Sequence, residues 1–231
     1  MCPTNQTTKQ RFSNVIKRIR AACDQNQRDP DHVCLLAVSK TRPVEQILAL
    51  ARLGQHAFGE NYVDEAVAKI SELSGHGLCW HFIGPVQSNK TRQLAEHFDW
   101  VESVDREKIA RRLADQRPRD KPALNVLIQV NLDGESQKAG CAPDDIAALA
   151  DLIATRPELC LRGLMAIPAA REDRTAQRRV FAKLKSLYED LARSHPQIDT
   201  LSAGMSGDLE AAIAEGSTEV RVGTDLFGPR G

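Results

Sequence analysis

Eight short apolar runs alternate along this 231-residue chain with helix-periodic segments, and that pattern predicts an α/β fold closed into a single (β/α)₈ TIM-type barrel with an extra N-terminal helix. Three observations carry the expectation. The runs are nearly continuous in Val, Ile, Leu and Ala, as strands covered on both faces are. Each is joined to the next by a connection long enough for the crossover that parallel strands require. No linker or low-complexity segment interrupts the alternation, so residues 1–231 read as one domain, with about 1–8 polar and frayed.

The elements follow in order. Phe12, Val15, Ile16, Ile19, Ala22 and Cys23 recur at spacings of three and four, predicting a helix that ends before Asp29-Pro30. The first strand is 34–38, followed by Ser39 and Lys40, and Pro43 opens a helix over 43–53 that stops at Gly54. A short strand at 56–59 leads to a helix over 62–73, broken by Gly75 and Gly77. The third strand, 78–83, ends at Gly84-Pro85, and a helix over 90–97 precedes the fourth strand at 100–103. Asp105 is the expected N-cap of a helix ending before Pro118. The fifth strand, 124–130, ends at Asn131, and Pro143 begins a helix through 154. The sixth strand, 160–166, is stopped by Pro168, and a long helix covers 176–193. The seventh strand is 200–202, the last helix 208–214, and the eighth strand 219–222. The extra N-terminal helix is expected to cap the barrel or lie against its side.

Composition narrows the function classes. Thirty-one basic residues balance thirty-one acidic ones, so no net field draws the chain to nucleic acid or to an anionic membrane. The six cysteines have no metal-ligand spacing, and their placement in apolar runs fits a reduced, intracellular protein. No metal site is expected. Asn5-Gln6-Thr7 matches a glycosylation sequon by chance, since no signal peptide accompanies it. No apolar run approaches membrane-spanning length. A cytoplasmic protein is expected, and balanced charge without an apolar surface stripe favours a monomer.

In such a barrel the strand ends meet at one rim, where binding and catalytic groups sit. The residues closing the strands are therefore read together: Lys40; Glu60 and Asn61; His81 and Gly84; Ser103; Asn131; Met165 and Pro168; Ser206; Gly223 and Thr224. A lysine leaving an apolar strand can form a Schiff base, because burial lowers its pKa, whereas the plainer reading is a solvated lysine in a turn. His81, between Trp80 and Phe82, is as readily a hydrogen-bonded core histidine. Ser206 and Thr224 follow the seventh and eighth strands, where barrels commonly hold a phosphate, although Ser206 is equally an N-cap candidate. Arg221 interrupts the strand Val220–Val222 and needs a partner: a ligand's ring nitrogen, or a carboxylate such as Glu219 or Asp225. A lysine on the first strand, an anion site after the last two and an arginine between them suggest pyridoxal 5′-phosphate.

The motifs AVSKTRP (37–43), FGENYVDE (58–65), WHFIGPVQSNK (80–90), VNLDGESQKAG (130–140), GLMAIPA (163–169), LSAGMSGDLEAAI (201–213) and GSTEVRVGTDLFGPR (216–230) occur in that order. Together they closely resemble the pyridoxal phosphate homeostasis protein family, also called proline synthase co-transcribed homologues. The resemblance implies a barrel similar to the N-terminal domain of alanine racemase. It implies pyridoxal phosphate held as an internal aldimine on Lys40, with phosphate contacts at Ser206, Gly223 and Thr224 and with Arg221 facing the ring nitrogen. Asn61, His81 and Met165 match positions lining the cofactor pocket. Two residues depart from the pattern: Ala203 stands where many relatives have a methionine, and Asp225 follows Gly223-Thr224 where a small apolar residue is more usual, so that its carboxylate would weaken anion binding somewhat unless it pairs with Arg221 or another base.

The function the resemblance implies is a carrier or buffer of the cofactor in vitamin B6 and amino-acid homeostasis, without established catalysis and with possible transient contact with pyridoxal phosphate-dependent apoenzymes. The chain's end shortly after the eighth strand supports that expectation, since racemases and decarboxylases with this barrel draw a proton-transfer group from a second domain or a partner subunit. The alternative is a minimal pyridoxal phosphate-dependent racemase or lyase, for which His81 is the candidate second acid/base. A Schiff-base aldolase acting on sugar phosphates is a more distant third.

Overall fold

In the computed structural model, which describes residues 7–134 and 139–229, eight parallel strands close into a barrel in chain order. They are β1 (Cys34–Val38), β2 (Ala57–Glu60), β3 (Cys79–Phe82), β4 (Trp100–Val104), β5 (Leu124–Gln129), β6 (Leu159–Met165), β7 (Thr200–Ser202) and β8 (Glu219–Val222). The helices are α1 (Thr8–Gln25), α2 (Val44–Ala51), α3 (Val63–Glu72), α4 (Thr91–His97), α5 (Glu107–Gln116), α6 (Ile146–Ala154), α7 (Arg174–Ser194), α8 (Leu209–Ala214) and α9 (Thr224–Phe227). No helix among the described residues is long and apolar enough to cross a membrane. Residues 1–6, with Cys2 and Asn5 of the sequon, lie outside the described residues, as do 135–138 of the VNLDGESQKAG motif.

Strand register divides each strand into two faces, because paired residues of neighbouring strands point the same way. Ala37, Phe58, Val101, Val126, Leu164, Val220 and Val222 are buried in the continuous hydrophobic layer between barrel and helices. The Phe82 and Phe98 rings pack edge to face with centroids 5.5 Å apart in the same layer. The other face turns into the barrel. One register line there runs through Val38, Gly59, His81, Trp100, Asn125 and Cys160. A second runs through Gln129, Met165, Ser202, Glu219 and Cys34. The barrel interior is therefore rich in polar and charged groups, which the nearly continuous apolar reading of the strands did not separate.

Beyond shifts of one or two residues at element ends, three features differ from expectation for local reasons. Asp105 does not cap α5; Arg106, extended at φ −162° and ψ 153°, is the N-cap, and Asp105 instead pairs with the Arg106 guanidinium at 2.5 Å. The 143–154 helix begins as a 3₁₀ turn at Pro143–Asp145 before α6. A single-turn helix, α9, follows β8 and was not foreseen, because four residues are too few for a periodicity to register. Helix α1 starts with a capping box between Thr7 and Gln10 and lies against the barrel's side. It buries Val15, Ile19, Ala22 and Cys23 against its neighbours α2, α8 and α9.

The turn leaving β1 is braced from below. The Ser39 hydroxyl donates to Glu60 Oε1 at 2.6 Å, and Lys69 Nζ on α3 donates to the same oxygen and to the Ser39 carbonyl, both at 2.8 Å. Lys69 also pairs with Glu65 at 2.5 Å, and Glu65 accepts from the Thr41 N–H at 2.7 Å. That bond holds Thr41 at φ 61°, a left-handed conformation costly for a β-branched residue. Burial raises the Glu60 pKa, the Lys69 and Ser39 hydrogen bonds oppose that rise, and its second oxygen finds no protein partner. Replacing Lys69 with alanine is expected to cost about 3 kcal/mol in urea unfolding, because it strands a buried carboxylate. Replacing Glu60 and Lys69 together with apolar residues of similar size is expected to recover much of that loss.

Candidate functional site

At the C-terminal ends of the strands, a cavity of about 280 Å³ is lined by residues from four corners of the rim. Lys40 and Arg42 come from the loop after β1, and Asn61 from the end of β2. Met205, Ser206 and Gly207 follow β7, while Arg221, Gly223 and Thr224 belong to β8 and its exit. Val38, Ile83 and Ile167 supply apolar walls. The pairing of β1 with β8, Ala37 opposite Val222, sets Lys40 beside Gly223-Thr224 across a span of more than 180 residues.

Each wall has a structural reason. Asn61 is packed against Gly84: a Cβ at that glycine would sit 2.4 Å from the Asn61 carbonyl oxygen, so only glycine allows the two loops to meet. The Asn61 Oδ1 atom is buried without a protein partner. Among the described residues, no acceptor faces the backbone N–H groups of Ser206, Gly207, Gly223 or Thr224. Unpaired donors on two adjoining loops, with two hydroxyls and a lysine across from them, suit a small ligand carrying an anionic group and a carbonyl.

Arg221 is fully enclosed and forms the floor. Its Nη1 donates to Ser202 Oγ at 2.5 Å and its Nη2 to the Ala166 carbonyl at 2.7 Å. Ser202 in turn donates to Glu102 Oε2 at 2.8 Å, and His81 Nδ1 lies 2.7 Å from Glu102 Oε1. Burial lowers the Arg221 pKa, while the Glu102 and Glu219 carboxylates oppose that fall. Burial and the neighbouring Glu102 together push Glu219 up to about 8. His81, Glu102 and Glu219 gather their ligand atoms within 4.8 Å. The contact between His81 and Glu102 is a hydrogen bond, and the Arg221 charge acts on Glu102 from behind Ser202.

Of the residues singled out in the sequence, Lys40, Asn61, Ser206, Arg221, Gly223 and Thr224 line the cavity. His81 and Met165 do not line it. His81 sits below it on β3, stacked on Trp100 at 5.0 Å, and burial lowers its pKa. Met165 is wholly buried between Gln129 and Ser202 in the barrel register. Both side chains are buried inside the barrel and are absent from the cavity wall. Asp225 does not pair with Arg221; its partner is Arg18 of α1, at 2.5 Å. Sequence reading missed Val38, Arg42, Ile83, Ile167, Met205 and Gly207 as lining residues, although Arg42 lies two residues after Lys40 and the last two adjoin Ser206 in the quoted motifs. It also missed Glu102, whose flanking run gave no sign that its side chain points inward.

Comparison with known proteins bears on this site. The family model described as alanine racemase, N-terminal domain, matches residues 9–231. The pyridoxal phosphate homeostasis protein of Pseudomonas aeruginosa is 54% identical over 224 residues, covering 97% of this chain and 96% of that one. The protein of the same name from Escherichia coli is 50% identical over 222 residues, covering 95% of each. The chain belongs to the pyridoxal phosphate homeostasis protein family. PipY of Synechococcus elongatus, solved with pyridoxal phosphate bound, matches with a TM-score of 0.81 at 37% identity, over 93% of this chain and 100% of that one. Alanine racemase from E. faecalis matches with a TM-score of 0.68 at 17% identity, over 94% of this chain and 58% of that one, and shares the fold.

The family barrel carries a pH-sensitive interior in this member. A glutamate whose folded pKa is raised to about 8 keeps a proton that the unfolded chain releases, so stability falls as pH rises from the usual glutamate range toward 8. In Glu219→Gln, thermal unfolding between pH 5 and 8.5 is expected to lose one proton's worth of that slope. An unchanged slope would mean that Glu219 is ionised in the folded protein.

Proposed function

We propose that this chain binds pyridoxal 5′-phosphate in the rim cavity and serves as its carrier or buffer in vitamin B6 and amino-acid homeostasis. The observation that carries the reading is the convergence of Lys40, Ser206, Arg221, Gly223 and Thr224 on one cavity, together with unpaired backbone donors on the two loops beside them. The residues present fit the cofactor: its phosphate suits the orphan N–H groups and the Ser206 and Thr224 hydroxyls, and the cavity size suits one small molecule. PipY, a relative at 37% identity, was solved with this cofactor, and close relatives carry the homeostasis name.

When bound, pyridoxal phosphate supplies an aldehyde that reacts reversibly with primary amines. In this reading Lys40 provides the amine and tethers the cofactor, and the braced turn of Ser39 and Thr41 limits how far that side chain can swing. Ser206, Gly223 and Thr224 hold the phosphate. Asn61 contributes its buried, unpaired Oδ1 from the side. Arg221, whose charge Glu102 supports, would face the ring nitrogen and disfavour its protonation. Val38, Ile83 and Ile167 exclude water from the ring.

A carrier is favoured over an enzyme by the fate of His81. It lies outside the cavity, held by Glu102 and Trp100, and is not positioned to pass protons to a substrate. The relatives named above are homeostasis proteins, and the likeness to alanine racemase is one of fold. As part of the same proposal, the protein works in the cytoplasm as a monomer and meets apoenzymes only transiently. Sedimentation checks the monomer.

Titrating the purified protein with pyridoxal phosphate is expected to produce a visible absorption band that Lys40→Ala lacks. A band of equal strength in that variant would move the attachment elsewhere. With single amino acids, product formation is expected to stay well below about 1 s⁻¹, the low end for ordinary enzymes; faster turnover would favour the racemase or lyase reading.

A further inference from the structure

A carboxylate directly after an anion-binding pair is an electrostatic liability, and Asp225 stands directly after Gly223-Thr224. Helix α1, which contributes no residue to the cavity lining, answers it with Arg18. The guanidinium forks three ways. Its Nε and Nη2 reach the two Glu210 carboxylate oxygens at 2.7 and 3.0 Å, its Nη1 reaches Asp225 Oδ2 at 2.5 Å, and its Nη2 also donates to the Ser206 carbonyl at 2.8 Å. One side chain thus ties the loop after β7, the first turn of α8 and the first turn of α9 to a single point. The geometry is the planar, multidentate kind that lysine cannot reproduce.

Each partner is only about two-thirds buried: the Arg18, Glu210 and Asp225 side chains are 34, 33 and 35% exposed. For stability alone such pairs contribute little. Their position is what matters, because Ser206 and Thr224 are the two hydroxyls of the cavity and the Arg18 bonds end on or beside both. The hydrogen bonds that Arg18 donates to Glu210 raise its pKa, so the charge is secure across the working pH range. On Glu210, burial acts upward but the Arg18 bond and charge, with help from nearby Arg174, outweigh it and hold the carboxylate ionised.

Resting on the pyridoxal phosphate reading above, we infer that Arg18 is a positioning residue for the phosphate half of the site. It shares its charge between Glu210 and Asp225, lessening the repulsion that Asp225 would exert on the phosphate, and it holds the Ser206 loop against the exit of β8. The N-terminal helix is by this account part of the binding apparatus, although it lies outside the eightfold repeat and touches no ligand.

The phosphate-specific effect distinguishes this role from a general loss of structure. Wild type, Arg18→Ala, Arg18→Lys and the double variant Arg18→Ala with Asp225→Asn are titrated with pyridoxal phosphate and, separately, with pyridoxal, which has the aldehyde but no phosphate. Arg18→Ala is expected to weaken pyridoxal phosphate binding about ten-fold or more, the size of one uncompensated charge. Pyridoxal binding should stay within about two-fold, a difference too small to reflect a lost charge. Arg18→Lys should fall between, and removing the Asp225 charge should restore most of the lost affinity. Thermal unfolding in parallel establishes that each variant is folded, and the Arg18→Lys variant carries the comparison if Arg18→Ala is not. Equal losses for both ligands, unchanged pyridoxal phosphate affinity, or no rescue by Asp225→Asn would each overturn the inference. Failure of the wild type to take up pyridoxal phosphate would instead overturn the reading of the cavity itself.

Discussion

Everything at the candidate site depends on the pairing of β1 with β8. Four registered pairs, from Cys34 opposite Glu219 to Ala37 opposite Val222, close the sheet on itself. Closure removes both sheet edges and places the end of the first strand beside the end of the last. Lys40 owes its neighbours to that closure. In an open sheet of the same strands, the lysine and the Gly223-Thr224 turn would stand at opposite edges. The loops after β7 and β8 and the amine would then never share a cavity.

Closure also creates a constraint. The interior of this barrel holds Arg221, Glu102, Glu219 and His81, all buried. Charges withdrawn from water are tolerated only when they answer one another. Here the guanidinium is held by Ser202 and Ala166, and the carboxylates lie behind it through Ser202 and His81. A second buried group, Glu60 with Lys69 and Ser39, lies under the Lys40 turn. Both clusters sit directly beneath the cavity. Their stability contribution is modest at best, and their consequence is geometric: they hold Arg221 and the Lys40 turn in single orientations at the two ends of the site.

Much of this was legible in the chain. Strands such as 34–38 and 219–222 could be bounded to the residue, because an apolar run between turn residues leaves little freedom. The rim residues Lys40, Ser206 and Thr224 could be named because each closes a strand, and in a parallel barrel every strand end faces the same rim. The same rule also picked out His81 and Met165, which do not line the cavity. Both lie near strand ends in the sequence, and their side chains are buried within the barrel. Glu102 was passed over for the converse reason: a single acidic residue within a short strand reads as an outward, solvated position until register shows which face it takes. Arg18 gave no local signal, since a polar residue on an amphipathic helix is ordinarily a solvated one.

The sequence by itself determined the kind of fold, the order of its elements and the ligand class to which the rim residues point, because hydrophobic periodicity and residue chemistry are local properties that survive without coordinates. Only the tertiary structure decided which polar groups face inward, which lysine braces and which one lines the cavity, and which arginine meets Asp225. Those outcomes depend on strand register and on contacts between segments as far apart as residues 18 and 225. No local pattern specifies them; they follow from the closure of the barrel and from the need of each buried charge for a partner.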